Sequence, residues 1–306
     1  MKVAYSPLYH IDIGAHVFPT RKYQLVHARL LEAAVVAESD IIEPQPASWD
    51  DLALVHTNEY LTKMRDGTLT PEESAQLELP WSAEMVHGFR TMVGGTVDTA
   101  RRAVQDGAIA AHIGGGLHHA FANHGEGFCP FNDVAVAIRV LQREGIERLA
   151  VVDLDVHHGN GTAFIFETDA RVFTFSMHQQ WNYPSWKPRG SLDIGLPDGA
   201  GDANYLERLA GALPKVMASS PQCLFYLAGA DPFEDDQLGG LRLTREGLRQ
   251  RDRLVLEQAR SRGLPVAVVL AGGYARSVDD TVAIHVATIE EAARAQRLTV
   301  FIPSSG

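Results

Sequence analysis

Between residues 151 and 161 the chain reads VVDLDVHHGNG. Val151, Val152, Leu154 and Val156 are the aliphatic residues of a buried strand, yet Asp153, Asp155, His157 and His158 interrupt them. If the segment stays extended, Asp153, Asp155 and His157 share one face, because side chains alternate across a strand. Burying an unpaired carboxylate is costly and two neighbouring ones repel, so a positive charge must compensate them. A bound metal ion meets that need. Asp155 and His157, with Asp231 from AGADP, would offer two oxygens and one nitrogen to a divalent ion. Three protein ligands with one open position is a catalytic pattern, whereas structural zinc sites are closed by four. The plainer alternatives are an internal salt bridge for Asp155 and a turn cap for Asp231 before Pro232.

His118 and His119 follow three glycines in IGGGLHHA. Glycine permits backbone conformations closed to other residues, which lets such a loop pass close beneath a substrate. A histidine pair is weak evidence in a chain with 13 His, of which His10, His27, His56, His87 and His285 read as structural. Asp153 and Asn160 strengthen the pair, since a catalytic imidazole needs its tautomer fixed by a second hydrogen bond. Tyr274 in AGGYA could place a phenol over the site, or simply pack by its ring at the rim. Cys129 has no evident base or helix N-terminus to lower its pKa and reads as a packed thiol.

The elements that must carry these residues follow from apolar periodicity. Short apolar runs at Lys2 to Tyr5, Ala108 to Ile113, Leu149 to Leu154, Val172 to Phe175, Leu224 to Ala228 and Val266 to Leu270 predict buried strands. Helical spacing is expected over Lys22 to Ala37, Ala83 to Gln105, Asp133 to Arg143, Asn204 to Met217 and Arg245 to Arg262. Alternation of the two predicts an α/β fold with a mainly parallel sheet covered by helices on both faces. All five polar clusters, in IGGGLHHA, DLDVHHGNG, SMHQQ, GADP and AGGYA, then fall at strand C-terminal ends. That edge is where open α/β sheets bind ligands. We expect one domain over residues 1–306, since no repeat or linker divides the chain.

Composition narrows the function classes. No apolar stretch approaches the roughly 18 residues of a membrane span, and the start, MKVAYSPLYH, lacks the apolar centre of a signal peptide. Two cysteines, Cys129 and Cys223, cannot form a disulfide framework, so a cytoplasmic location is expected. With a net charge of −11 and no run of Lys or Arg, direct nucleic-acid binding is not expected. Nor is membrane association, while self-assembly stays open.

In this order and spacing, GGGLHHA, GFCPFND, DLDVHHGNG, AGADPFEDDQLGG and AGGY resemble the histone deacetylase superfamily, which also holds the acetoin-utilisation and acetylpolyamine deacetylases. YSPLYH, the VGGT of residues 93 to 96, and HHGNG with Asn160 are most similar to its class IV branch and to bacterial deacetylase-like amidohydrolases. The resemblance implies the arginase/deacetylase fold, a single open eight-stranded sheet between helices, and a zinc hydrolase that removes acyl groups from amine nitrogen. Carried over by position, Asp155, His157 and Asp231 bind the metal, His118 pairs with Asp153, and His119 is the general base and acid. Tyr274 polarises the acyl carbonyl, and Gly127, Phe128 and Met177 line the acyl channel. A potassium site at Asp153, Asp155, His157 and Ser176 is also implied. This chain has Asn160 where class I members have Asp, so His119 should lack a carboxylate partner and be less basic. It has Met177 where they have a second channel Phe. Substrates would be acyl-lysine peptides or proteins, or acetylated amines such as polyamines. Iron could replace zinc at such ligands. An arginase-like ureohydrolase would need further Asp ligands absent from DLDVHHG, and a non-catalytic metal module would not need both His119 and Tyr274.

Overall fold

A computed structural model describes residues 1 to 298; positions 299 to 306 of the expected domain lie outside the described residues. Among the described residues eight strands are present: β1 Val3–Ala4, β2 Ile41–Ile42, β3 Ile109–His112, β4 Leu149–Asp153, β5 Val172–Gln179, β6 Leu192–Leu196, β7 Cys223–Leu227 and β8 Val266–Val269. They form one sheet in the order β2-β1-β3-β8-β7-β4-β5-β6, and every pairing is parallel. Parallel strands covered on both faces read as continuous apolar runs. That is why LAVVD and CLFYL are buried at every position.

The six strands expected from sequence are all present. The two not anticipated are the sheet's edges, the two-residue β2 and the half-exposed β6, whose sequence LDIGL carries an acid and a glycine. Both edges are too short or too polar to stand out as apolar runs. Two boundaries move in ways that matter. β4 ends at Asp153, and residues 155 to 157 form a bend, so the shared face expected for Asp153, Asp155 and His157 does not extend past Asp153. β5 runs to Gln179 instead of stopping at Phe175, so Ser176, Met177 and His178 belong to the strand.

Helices Lys22–Glu32, Val278–Gln296, Arg245–Arg260 and Asp202–Ala218 pack in a row, and helix Ala83–Asp106 packs with helix Asp133–Arg143. The two groups sandwich the sheet. Their ends are set locally. Ser82 accepts from Met85 N, and Gly107 closes helix Ala83–Asp106 with φ +58°; Asn132 accepts from Ala135 N at 2.9 Å to start helix Asp133–Arg143. Helix Val278–Gln296 escaped the sequence reading because its apolar residues are spread around the axis instead of confined to one stripe.

One charged group lies at the centre of this packing. Arg251, fully buried, donates to Gly229 O at 2.5 Å and through Nε to Asp252 Oδ1 at 2.9 Å. Asp252 also accepts from Tyr226 Oη at 2.5 Å and Thr288 Oγ1 at 2.7 Å. Gly229 follows β7, so this cluster ties a helix to the rim of the sheet. Removing one partner of a buried pair strands the other's charge. Arg251→Met should therefore lower the unfolding free energy by about 3 to 5 kcal/mol, measured as a shift in the denaturant midpoint at unchanged m-value.

Candidate active site

Strands β3, β8, β7 and β4 are neighbours at the centre of the sheet, and each delivers a polar loop at its C-terminal end. The loop after β3 carries His118 and His119. Asp133 pins it, accepting from Gly116 N at 3.0 Å, Leu117 N at 2.7 Å and Thr96 Oγ1 at 2.5 Å. Gly116 has φ +82°, and a Cβ there would sit 2.5 Å from Ala271 Cβ, so only glycine lets the loops after β3 and β8 touch.

The bend after β4 brings Asp155 and His157 to Asp231 from the loop after β7. One ligand atom from each of the three lies within 4.8 Å of the others. Both carboxylates are anchored by main-chain donors, and Asp155 Oδ1 also accepts from His157 N at 2.9 Å. Asp155 Oδ2 accepts from Gly272 N at 2.8 Å and Asp231 Oδ1 from Val156 N at 2.9 Å. The remaining Asp231 Oδ2 is buried without a hydrogen-bond partner, 3.5 Å from His157 Nδ1, which also lies 3.0 Å from Asp155 Oδ1. An orphaned buried carboxylate oxygen beside a second carboxylate and an imidazole nitrogen fits a divalent cation. Gly272 leaves the room, because a Cβ there would stand 2.0 Å from Asp231 Oδ2.

The electrostatics of the bare cluster show the same excess of negative charge. Burial and the charge of Asp155 push Asp231 up to about 7. Burial works against a charged His157, yet Asp155 and Asp231 outweigh it and raise the imidazole to about 10.

Asp153 points elsewhere. Its Oδ2 lies 2.7 Å from His118 Nδ1, and its Oδ1 accepts from Asp155 N at 3.2 Å. Burial opposes charge on His118, but Asp153 and Asp155 overcome it and raise the imidazole to about 9. His118 Nε2 lies 3.1 Å from His119 Nε2. Burial, then the charges of His118 and His157, drive His119 well below its ordinary value. His119 Nδ1 lies 2.7 Å from Asn160 Oδ1, and Asn160 Nδ2 donates to Glu126 Oε1 at 2.7 Å. The carboxylate that His119 was expected to lack is therefore present one residue further out.

A pocket of about 180 Å³ opens above these groups, with His119 and His157 among its lining. Phe128, Tyr183, Leu238, Gly127 and Tyr274 wall it, and Glu78 and Asn182 complete it. Phe128 has φ +66°, strain of the kind that gathers at working sites. The backbone of Tyr274 is pinned. Its N–H donates to Asp236 at 2.7 Å, its carbonyl accepts from Gln237 Nε2 at 2.8 Å, and the buried Lys22 ammonium lies 5.5 Å from its ring centroid.

Of the residues expected to form the site, Asp153, Asp155, His157, Asp231, His118, His119, Asn160, Gly127, Phe128 and Tyr274 converge. Ser176 is the register partner of Asp153. Met177 does not reach the channel: in the extended β5 it pairs with Ile194 and is fully buried in the core, and Tyr183, from the loop that follows, supplies the aromatic wall. Cys129 is a buried thiol that donates a hydrogen bond to Gly127 O at 3.3 Å. Burial raises its pKa well above the usual range. Glu126, Tyr183, Asp236 and Lys22 were missed. Only Asp236 had a signal, since it stands inside AGADPFEDDQLGG.

The chain matches the family model described as histone deacetylase domain over residues 16–289. It belongs to the histone deacetylase family, and its homologues there mark it as an amidohydrolase. It is 30% identical to histone deacetylase 2 of Arabidopsis thaliana across 90% of this chain and 75% of that protein. Against the acetoin utilization protein AcuC of Bacillus subtilis (strain 168) the identity is 33%, covering 78% and 68%. An uncharacterised protein of Picosynechococcus sp. is 46% identical over 92% of this chain and 95% of its own. Among solved structures, an HDAC homolog complexed with SAHA superposes with a TM-score of 0.82 at 25% identity, covering 95% of this chain and 83% of that one. The sheet and its helices are thus those of the arginase/deacetylase fold.

Metal binding requires deprotonated ligands. With His157 raised to about 10 and Asp231 to about 7, the metal-free site holds at least one proton at pH 7 that a cation must displace. Loading with Zn²⁺ should release protons and tighten as pH rises, as measured by calorimetry in buffers of different ionisation enthalpy. Asp231→Asn should abolish most of that uptake.

Proposed function

We propose that the chain is a metal-dependent deacylase that hydrolyses the amide of an N-acyl-lysine in a peptide or protein, with residues 1–306 as one catalytic domain. The observation that carries this reading is the meeting of three kinds of group at the base of one aromatic-walled pocket. These are the ligand cluster of Asp155, His157 and Asp231, the paired imidazoles of His118 and His119, and the Tyr274 phenol. Asp155, His157 and Asp231 would hold zinc, or ferrous iron, and a divalent ion there supplies Lewis-acid activation of water and of the acyl oxygen. A structural potassium ion at Asp153, Asp155, His157 and Ser176 belongs to the same reading. The two free, buried cysteines suit a reducing cytoplasm, and among the described residues no helix is long and apolar enough to cross a membrane.

The remaining steps fall to the chain's own side chains. His119, kept neutral by burial and by the charge of His118, accepts a proton from the attacking water and returns it to the departing amine. His118 is oriented by Asp153, whose Oδ2 lies 2.7 Å from its Nδ1, and packs beside His119. Tyr274 donates its phenolic hydrogen to the acyl oxygen, where negative charge grows as water adds. Burial raises the Tyr274 phenol well above its usual range, so the donor hydrogen is present throughout the working pH range.

Glu78, beside the pocket, favours a second reading in which the substrate is an acetylated polyamine or other small cationic amide. Specificity constants for acetyl-lysine peptides, long-chain acyl-lysine peptides and acetylated polyamines, measured with the Zn²⁺-loaded protein, separate the two. No turnover of any of them would overturn both.

Tyr274→Phe should keep its metal and fold and lose about 10² to 10³ in kcat, the typical loss for one preorganised donor. Unchanged kcat would reduce Tyr274 to a wall residue. SAHA, the ligand of the related homologue, should inhibit in competition with substrate.

A further inference from the structure

The Asn160 amide has one donating end and one accepting end, and which end faces His119 decides whether that imidazole can act as a base. Glu126 settles the choice. Partial burial opposes charge on its side chain, yet donors on every side outweigh that cost and hold it ionised, with a pKa lowered to about 2. Oε1 accepts from Asn160 Nδ2 at 2.7 Å and from Tyr183 Oη at 2.9 Å; Oε2 accepts from Gln76 Nε2 at 3.0 Å, with His124 Nε2 3.6 Å away. An ionised carboxylate only accepts, so Asn160 must turn its NH₂ toward Glu126 and its Oδ1 toward His119. A carbonyl oxygen also only accepts, so the hydrogen of a neutral His119 sits on Nδ1 and the lone pair on Nε2, the nitrogen beside His118 and the pocket. Released from Glu126, the amide could flip and favour the opposite tautomer, whose Nε2 carries a hydrogen and cannot take one.

We propose that Glu126 is a positioning residue for the His119 base, acting through the Asn160 amide, and that the same carboxylate oxygen sets the pocket wall by holding the Tyr183 phenol. The proposal rests on the amidohydrolase reading for its kinetic consequence and on geometry alone for its tautomeric one. Tyr183 lines the pocket with its ring edge-on to His119, centroids 5.0 Å apart. One oxygen thus orients both the base and the surface against which a substrate lies. Oε2 anchors the segment Glu126–Cys129, closed by a bridge between its ends, to helix Pro71–Leu77, so the two oxygens have separate tasks.

A charge-permutation cycle tests this. Asn160→Asp places a second carboxylate against Glu126, and like charges at this distance cannot both stay ionised without strain. That variant should lose at least about tenfold in kcat, with KM little changed, because base function fails and substrate binding does not. Glu126→Gln with Asn160→Asp restores one carboxylate and one amide in exchanged places. The amide NH₂ now at position 126 donates to the carboxylate now at position 160, whose other oxygen still accepts from His119. The double variant should recover to within about threefold of wild type, a non-additivity that two independent sites do not show. Additive losses, or an Asn160→Asp variant as active as wild type, would overturn the proposal, as would rescue that merely tracks melting temperature or metal content.

Nitrogen-15 NMR of histidine-labelled protein reads His119 directly, with or without turnover. Wild type should show the Nδ1–H tautomer, and Glu126→Ala a mixture of the two. An unchanged tautomer in Glu126→Ala would reject the positioning role. Absence of turnover in every form, wild type included, would instead reject the amidohydrolase reading and leave the NMR outcome to decide the role of Glu126.

Discussion

Two carboxylates share one dry space at the rim of the sheet, and the rest of the site is arranged around the cost of keeping them there. Asp155 and Asp231 are both almost wholly buried, and each accepts a main-chain N–H from a different loop. Those bonds orient the side chains but do not neutralise them. That charge suits the rim to a cation, because an uncompensated buried carboxylate is among the costliest features a fold can carry. A cation bound to the native state alone would add stability by mass action, which would link metal supply to the stability of the fold.

Several otherwise unrelated features follow from that requirement. Gly272 is small so that the two acids can approach, Asp236 holds the loop after β7 to the loop after β8, and Asp133 gathers the N–H groups of the glycine loop after β3. Arg251 reaches the same rim from behind, through Gly229 O. The site is therefore braced by charged side chains that never meet a substrate, each satisfied by backbone groups or by another buried partner.

What could be read from the sequence was what is local and out of place. Acids and histidines closing an apolar strand stand out against their neighbours, so the candidate ligands, His118, His119 and Tyr274 drew the eye to one rim, and the four central strands that carry them were legible. The two edge strands were not, because β2 has two residues and β6 is half polar. Met177 was misassigned since nothing in SMHQQ shows where β5 stops. Four more residues of strand turned that side chain into the core and left the channel wall to Tyr183. Glu126 was invisible for a different reason. Its meaning comes from Asn160, 34 positions later, and no local pattern encodes that meeting.

The hairpin closed by the Glu126 to Cys129 bridge carries two assignments within a single turn of backbone, the Glu126 carboxylate and the Phe128 ring, the latter at positive φ. A lineage diversifying its acyl pocket by resizing this segment would disturb proton handling at the same stroke. Leu238 and Tyr183 arrive on separate loops. Adaptive change in substrate preference has its freer path through them, and drift in the hairpin is constrained by chemistry it does not itself perform.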